Sequence, residues 1–221
     1  MTDIFDILGP VMIGPSSSHT AGAVRIGLIG RTLLEGEPKH AKIGLFGSFA
    51  ETGRGHGTDR AIVAGLLGFQ PDFEGIPRSF EIARERGLEF EFYTAYLRDA
   101  HPNTALLDIV SFDGETLSMT AASTGGGRIR VEKIDGIDVS FTGEENTLIV
   151  RHRDVRGRVA DIAGVISAAG INIADMSLCR AARGGDALEV IETDQRVPSH
   201  VREKIEGLDG ILRVSYCEKK A

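Results

Sequence analysis

The last third of the chain alternates between two hydrophobic periods in an order that few folds accept. "TLIVRH" sets Leu148 and Val150 two apart, as in a strand, and "DVRGR" then turns the chain. Val159, Ile162, Ala163, Ile166 and Ala169 recur at helical spacing, and Gly170 follows where helices commonly end in a left-handed glycine. "INIADMSLCRA" and "ALEVIET" predict two strands joined by the turn-forming "RGGD". "PSHVREKIEGL" opens with Pro198 in the first turn of a helix, and "ILRVSYC" closes as a strand. Residues 147–221 therefore read strand, helix, strand, strand, helix, strand.

That order is the ferredoxin-like βαββαβ arrangement. The run "DVRGRVADIAGVISAAGINIADM", with Gly157 at the strand-to-helix turn and "GIN" opening the second strand, resembles an ACT domain, a small amino-acid-sensing module. The resemblance implies that Asp154, Gly157, Arg158 and Asn172 face an effector where two such domains pair. The charges themselves leave a second reading open, in which Arg151, Arg153, Arg156 and Arg158 form a solvated loop.

Residues 1–144 read as a separate mixed α/β unit, so the fold class is α/β (α+β), with the boundary in the patternless "TGEEN". A helix beginning near Thr20 runs to about Leu34, "AKIGLFGSF" is a strand, and "DRAIVAGLLG" and "FEIARERG" are helices. "LEFEFYTA" alternates as a strand, "ALLDIVSFDGETLSMTAAS" is a hairpin on a type I′ Asp113-Gly114 turn, and "GGGRIRVEKIDGIDVSFTG" adds one or two strands.

The formal net charge of -7 argues against a nucleic-acid binder, whose affinity rests on clustered Lys and Arg. No stretch approaches the length of a membrane span and "MTDIFDILGP" lacks the character of a signal peptide, so the expected location is the cytoplasm. Cys179 and Cys217 stand far apart with no CxxC pattern, which points to neither a disulfide framework nor a metal site on this chain. The six lysines fall in polar stretches without a motif, so no pyridoxal phosphate is expected.

Chemistry is concentrated in three polar loops. "GPSSSHTAG" carries Ser16, Ser17, Ser18, His19 and Thr20; "SFAETGRGHGTD" carries His56; "AHPNT" carries His101 and Asn103. Imidazole suits proton transfer near neutrality, and scaffold-borne loops are where such groups gather. A helix starting near Thr20 has unpaired N–H groups that welcome an anion, with one serine free to cap and the others to donate. Thr58 or Asp59 is placed to cap the helix after "GRGHG". Neither a GxSxG elbow nor a dinucleotide or P-loop fingerprint is present.

"GPVMIGPSSSHTAGAVRIG", "GSFAETGRGHGTDRAIVAGLLG" and "HPNTA", followed by "GGG" and the ACT-like tail, resemble the beta chains of bacterial iron–sulfur L-serine dehydratases over essentially the whole length. The resemblance implies an allosteric-substrate-binding type of first domain. It also implies dehydration of L-serine to pyruvate and ammonia, with a [4Fe-4S] cluster on a partner alpha chain. In that reading Ser16, Ser17, Ser18, His19 and Thr20 cradle the substrate, His56 leads as the base with His19 beside it, and His101 and Asn103 support them. The ACT domain is then expected to dimerise. A regulatory subunit that binds an amino acid without taking part in chemistry, and a plain assembly subunit, remain as alternatives.

Overall fold

The structure, a computed structural model, describes residues 12–219. The expectation for the N-terminal "MTDIFDILGP", and residues 9–11 of the first motif, lie outside the described residues. The chain separates into two compact units, dividing between Asp135 and Gly136. The boundary expected at 144–147 thus falls later than this division, which assigns "GIDVSFTG" to the second unit.

In the first unit a π-helical segment, Ser17–Gly22, runs directly into helix α1 (Ala23–Leu34). Strand β1 (Pro38–Leu45) leads into α2 (Ser48–His56), α3 (Thr58–Leu66), a 3-10 turn (Ile76–Arg78) and α4 (Ser79–Glu85). Four strands follow: β2 (Glu89–Thr94), β3 (Thr104–Ser111), β4 (Thr116–Gly125) and β5 (Arg128–Ile134). Their hydrogen-bonded order is β2-β1-β3-β4-β5, with β1 and β2 parallel and the other pairs antiparallel.

Helix α1 lies on this sheet and α3 packs against α1. The crossing is set by two glycines. A Cβ on Gly27 would stand 2.2 Å from the Ile62 carbonyl, and one on Gly65 2.1 Å from that of Val24, so the two backbones touch. Ile26, Leu34, Ile43, Ile62, Leu107 and Met119 are fully or almost fully buried around the crossing and supply the apolar burial that stabilises it.

Three sequence expectations need correction here. The strand in "AKIGLFGSF" stops at Leu45, because Gly47 at φ 56° turns the chain into α2. Residues 48–56 are helical, not a loop; two internal glycines hide this helix from a propensity reading, and the full burial of Phe49 anchors it. The β3–β4 connection is not type I′, since of its two residues only Gly114 has positive φ, at 88°. Ser111 Oγ accepts the N–H groups of both Asp113 and Glu115 and holds the longer loop.

The second unit contains β6 (Ile137–Phe141), β7 (Asn146–Arg153), α5 (Arg158–Ala168), β8 (Ile173–Arg180), β9 (Asp186–Thr193), α6 (Ser199–Glu206) and β10 (Ile211–Cys217). From β7 onward the order is βαββαβ, the sheet runs β10-β7-β9-β8, and every adjacent pair is antiparallel. This is the ferredoxin-like arrangement expected. Leu148, Val150, Ile162, Ile166, Ile191, Val201 and Ile205 form its core.

Candidate active site

The polar N-terminal stretch begins its helix earlier than the expected Thr20. Ser16 is the cap: its Oγ accepts the His19 N–H at 3.1 Å, and its carbonyl accepts the Thr20 N–H at 2.8 Å. Ser17 and Ser18 therefore stand in the first turn rather than ahead of it. The wide π turn places His19 toward α2, where its Nε2 lies 3.1 Å from Ser48 Oγ and 3.2 Å from Thr52 Oγ1. Its Nδ1 lies 3.4 Å from Ser16 Oγ.

His56 is the last residue of α2, about two turns from Ser48, and its exposed ring sits 5.0 Å from that of His19, centroid to centroid. Phe49 closes the other side of His19 edge-on at 5.2 Å. Burial, reinforced by the neighbouring His56, lowers the His19 pKa below the ordinary imidazole value, while the contact with Ser48 opposes the shift. The shift favours the neutral ring. Thr20 is buried, and its hydroxyl donates to the His56 carbonyl at 3.4 Å, tying the two histidine-bearing segments together.

The third loop joins through the backbone. Gly47 permits the contact: a Cβ there would lie 2.7 Å from the Pro102 carbonyl. The Phe49 N–H donates to that carbonyl at 3.3 Å, and Phe46 N–H donates to Thr104 O at 3.0 Å. Within the loop, His101 Nδ1 accepts the Asn103 N–H at 3.1 Å, while Asn103 Oδ1 is buried without a hydrogen-bond partner. Ser123 on β4 fastens both ends, donating from Oγ to the Ser18 carbonyl and from N–H to the Asn103 carbonyl, each at 2.9 Å. Gly22 leaves room for this hydroxyl, because a Cβ there would stand 2.1 Å from it.

The structure thus gathers all three predicted segments into one hydrogen-bonded cluster. Sequence reasoning missed Ser48, Thr52 and Ser123. Ser48 and Thr52 lie four residues apart on one helical face, a signal visible only once residues 48–56 are read as a helix. The expected caps at Thr58 and Asp59 do not form: Gly57 precedes α3, Asp59 Oδ1 accepts the adjacent Arg60 N–H, and Thr58 Oγ1 is buried without a partner.

The four residues expected to face an effector are not brought together within the second unit. Asp154 Oδ2 accepts from Arg180 Nη1 at 2.6 Å and from the Gly184 N–H at 3.0 Å, both of which lower its pKa and clamp the β8–β9 turn. Gly157 opens α5 at φ 89°, and Arg158 is buried, pairing with Asp161 at 3.4 Å and Asp209 at 3.8 Å. Asn172 lies at the other end of the sheet, beside the Ile173–Thr193 pair, where its Nδ2 donates to Asp194 at 2.6 Å. The separation follows from topology, since β7 ends where β8 also ends and Asn172 precedes β8.

No group of three or more His, Cys, Asp or Glu among the described residues is placed to hold a metal ion. Cys179 on β8 is partly exposed and Cys217 on β10 is buried, and neither is in a disulfide. No helix among the described residues is long and apolar enough to cross a membrane.

Residues 1–134 match the family described as serine dehydratase beta chain, and residues 146–210 match the ACT domain. A probable L-serine dehydratase beta chain of Bacillus subtilis is 42% identical over 212 residues, covering 96% of each chain. An L-serine dehydratase beta chain of Peptoniphilus asaccharolyticus is 34% identical over 221 residues, covering 99% of this chain and all of that one. The L-serine dehydratase 2 of Escherichia coli is 33% identical over 153 residues, which are 58% of this chain and 33% of that protein. The chain belongs to the serine dehydratase beta chain family and carries an ACT domain.

Proposed function

We propose that this chain is the beta subunit of an L-serine dehydratase, a carbon–nitrogen lyase that converts L-serine to pyruvate and ammonia together with an alpha chain. The convergence of His19 and His56, 5.0 Å apart, with the hydroxyls of Ser16, Ser48 and Thr52 carries this reading. The comparison with the Escherichia coli protein supports the two-chain division, since this chain aligns with only a third of that longer enzyme.

Removing water from serine takes a weakly acidic α-proton and expels hydroxide, a poor leaving group. This chain provides for the first. His56, exposed at the end of α2, takes the α-proton; the Ser17 and Ser18 hydroxyls in the first helical turn donate to the substrate carboxylate, and neutral His19 keeps positive charge away from the base. The residues present do not fit an iron–sulfur cluster: the chain has two cysteines, Cys179 on β8 and Cys217 on β10, fewer than the three or four thiolates that usually hold one. A [4Fe-4S] cluster in this reading belongs to the alpha chain, where it supplies a Lewis acid for the leaving hydroxyl.

The test is anaerobic turnover of serine to pyruvate by this chain, by its alpha chain, and by the two after cluster reconstitution. Activity in the mixture alone is expected, and His56→Ala should lower it by about 10²- to 10⁴-fold, the usual contribution of a general base. Full activity from the alpha chain alone would overturn the reading. The ACT match favours a second role, binding of an amino acid by paired ACT domains as a regulatory signal. Isothermal titration of the isolated chain with L-serine detects it.

A further inference from the structure

His19 touches three hydroxyl groups, and one of them has its proton already committed. Thr52 Oγ1 donates to the Ser48 carbonyl at 2.9 Å, the back-bond a helical threonine makes to the residue four positions earlier. A hydroxyl carries a single proton. Toward His19 Nε2, 3.2 Å away, Thr52 can then only accept. A bare Nε2 would set two lone pairs against each other at that distance, whereas an Nε2–H satisfies Thr52 and Ser48 together.

The other ring nitrogen agrees. Ser16 Oγ accepts the His19 backbone N–H at 3.1 Å, which leaves its own proton free to point at Nδ1, 3.4 Å away. Resting on the catalytic reading above, we propose that Thr52 is a positioning residue that locks His19 in the Nε2–H tautomer, with its Nδ1 lone pair held toward Ser16. Nothing in the motif around His19 encodes this; the lock comes from a neighbouring helix 33 residues away in sequence.

The consequence is a division of labour between the two rings. His19 is fixed in orientation and tautomer by groups that cannot accept a second proton from it, while the His56 ring lies against His19 and its carbonyl accepts from the Thr20 hydroxyl. The movable proton is left to His56. The lock also steadies Ser16, whose hydroxyl is pinned between the His19 backbone and ring.

The tautomer can be read without turnover. Long-range ¹H–¹⁵N correlation spectra of the full chain, labelled at histidine, distinguish protonated from bare ring nitrogens, with His19 assigned by its loss in His19→Gln. The wild-type chain should show Nε2 protonated and Nδ1 bare. Thr52→Val, which keeps shape and removes the acceptor, should give averaged tautomers, and Thr52→Ser should restore the wild-type pattern. In the reconstituted two-chain enzyme Thr52→Val should lower kcat by about 10- to 100-fold, as loss of orientation at a reacting centre does, with Thr52→Ser near wild type. A protonated Nδ1 in the wild-type chain, or an unchanged pattern in Thr52→Val, overturns the lock. Averaged tautomers in Thr52→Val with undiminished turnover leave the lock intact and instead overturn the catalytic role of His19.

Discussion

Glu189 should make the second unit less stable as pH rises from about 4.5 to about 7, and Glu189→Gln should abolish that dependence. The carboxyl lies on β9, opposite Val150 of β7 and on the core face, with no exposed surface. Neither oxygen has a hydrogen-bond partner. The buried His152 faces it, with Nε2 3.7 Å from Oε2. The His152 Nδ1 donates to the Arg153 carbonyl at 2.9 Å, so in the neutral ring the nitrogen facing Glu189 is a lone pair that welcomes a proton. Burial pushes the Glu189 carboxyl up to about 7 from an ordinary 4.5.

A group whose folded pKa is raised costs nothing below its unfolded value and destabilises progressively as pH climbs to the folded one. At about 1.4 kcal/mol for each tenfold change in proton affinity, the full loss above pH 7 is about 3 kcal/mol. Hydrogen exchange of the β7 and β9 peptides, corrected for intrinsic rates, measures the opening free energy of this unit alone. Wild-type protection should fall by about 2.5 kcal/mol between pH 5 and pH 8, since a small part of the loss has already occurred at pH 5. Glu189→Gln, which retains the shape and can donate to His152, should stay level and exceed wild type at pH 8. Equal slopes in the two proteins would refute the reasoning, for they would mean that the carboxyl ionises without cost where it sits.

Two other perturbations test packing and electrostatics. Gly65→Ala forces a methyl to within 2.1 Å of the Val24 carbonyl and should destabilise by about 1–3 kcal/mol, whereas Gly55→Ala, with nothing within 4 Å, should stabilise by roughly 0.5–1 kcal/mol; thermal midpoints separate the two signs. His19 should titrate below an ordinary imidazole by NMR, and His56→Ala should move it only part of the way back, because burial is the larger cause. Stability linked to His19 is accordingly lost as pH falls below about 6.5, the unfolded value.

The parts of this molecule legible in the sequence are those where local pattern and tertiary structure agree. The period of Ile162 and Ile166, ended by Gly170 at φ 70°, could be read directly because the same residues make the helix and face the core. His19, His56, His101 and Asn103 stood out as polar groups in glycine- and serine-rich surroundings. Helix α2 did not, since Gly53 and Gly55 disfavour it locally and its stability comes from burying Phe49. Missing the helix hid Ser48 and Thr52. Glu189 was invisible for a different reason: in "ALEVIET" the alternation of polar and apolar residues suggests one wet face, yet Ala187 through Ile191 are buried on both.

The π turn at Ser17–Gly22 gives the site a sensitivity that substitutions alone would not reveal. Each residue advances a regular helix by about 100°, so the count of residues between Ser16 and Ala23, as well as their chemistry, decides where His19 points. Removing Ala21 would let the segment relax toward an ordinary α-helix while swinging everything before it about a quarter-turn or more around the axis. The chain would gain regularity and carry the imidazole away from Ser48. In this stretch, length is itself an inherited feature of the site: drift by replacement can preserve the geometry, and drift by insertion or deletion cannot.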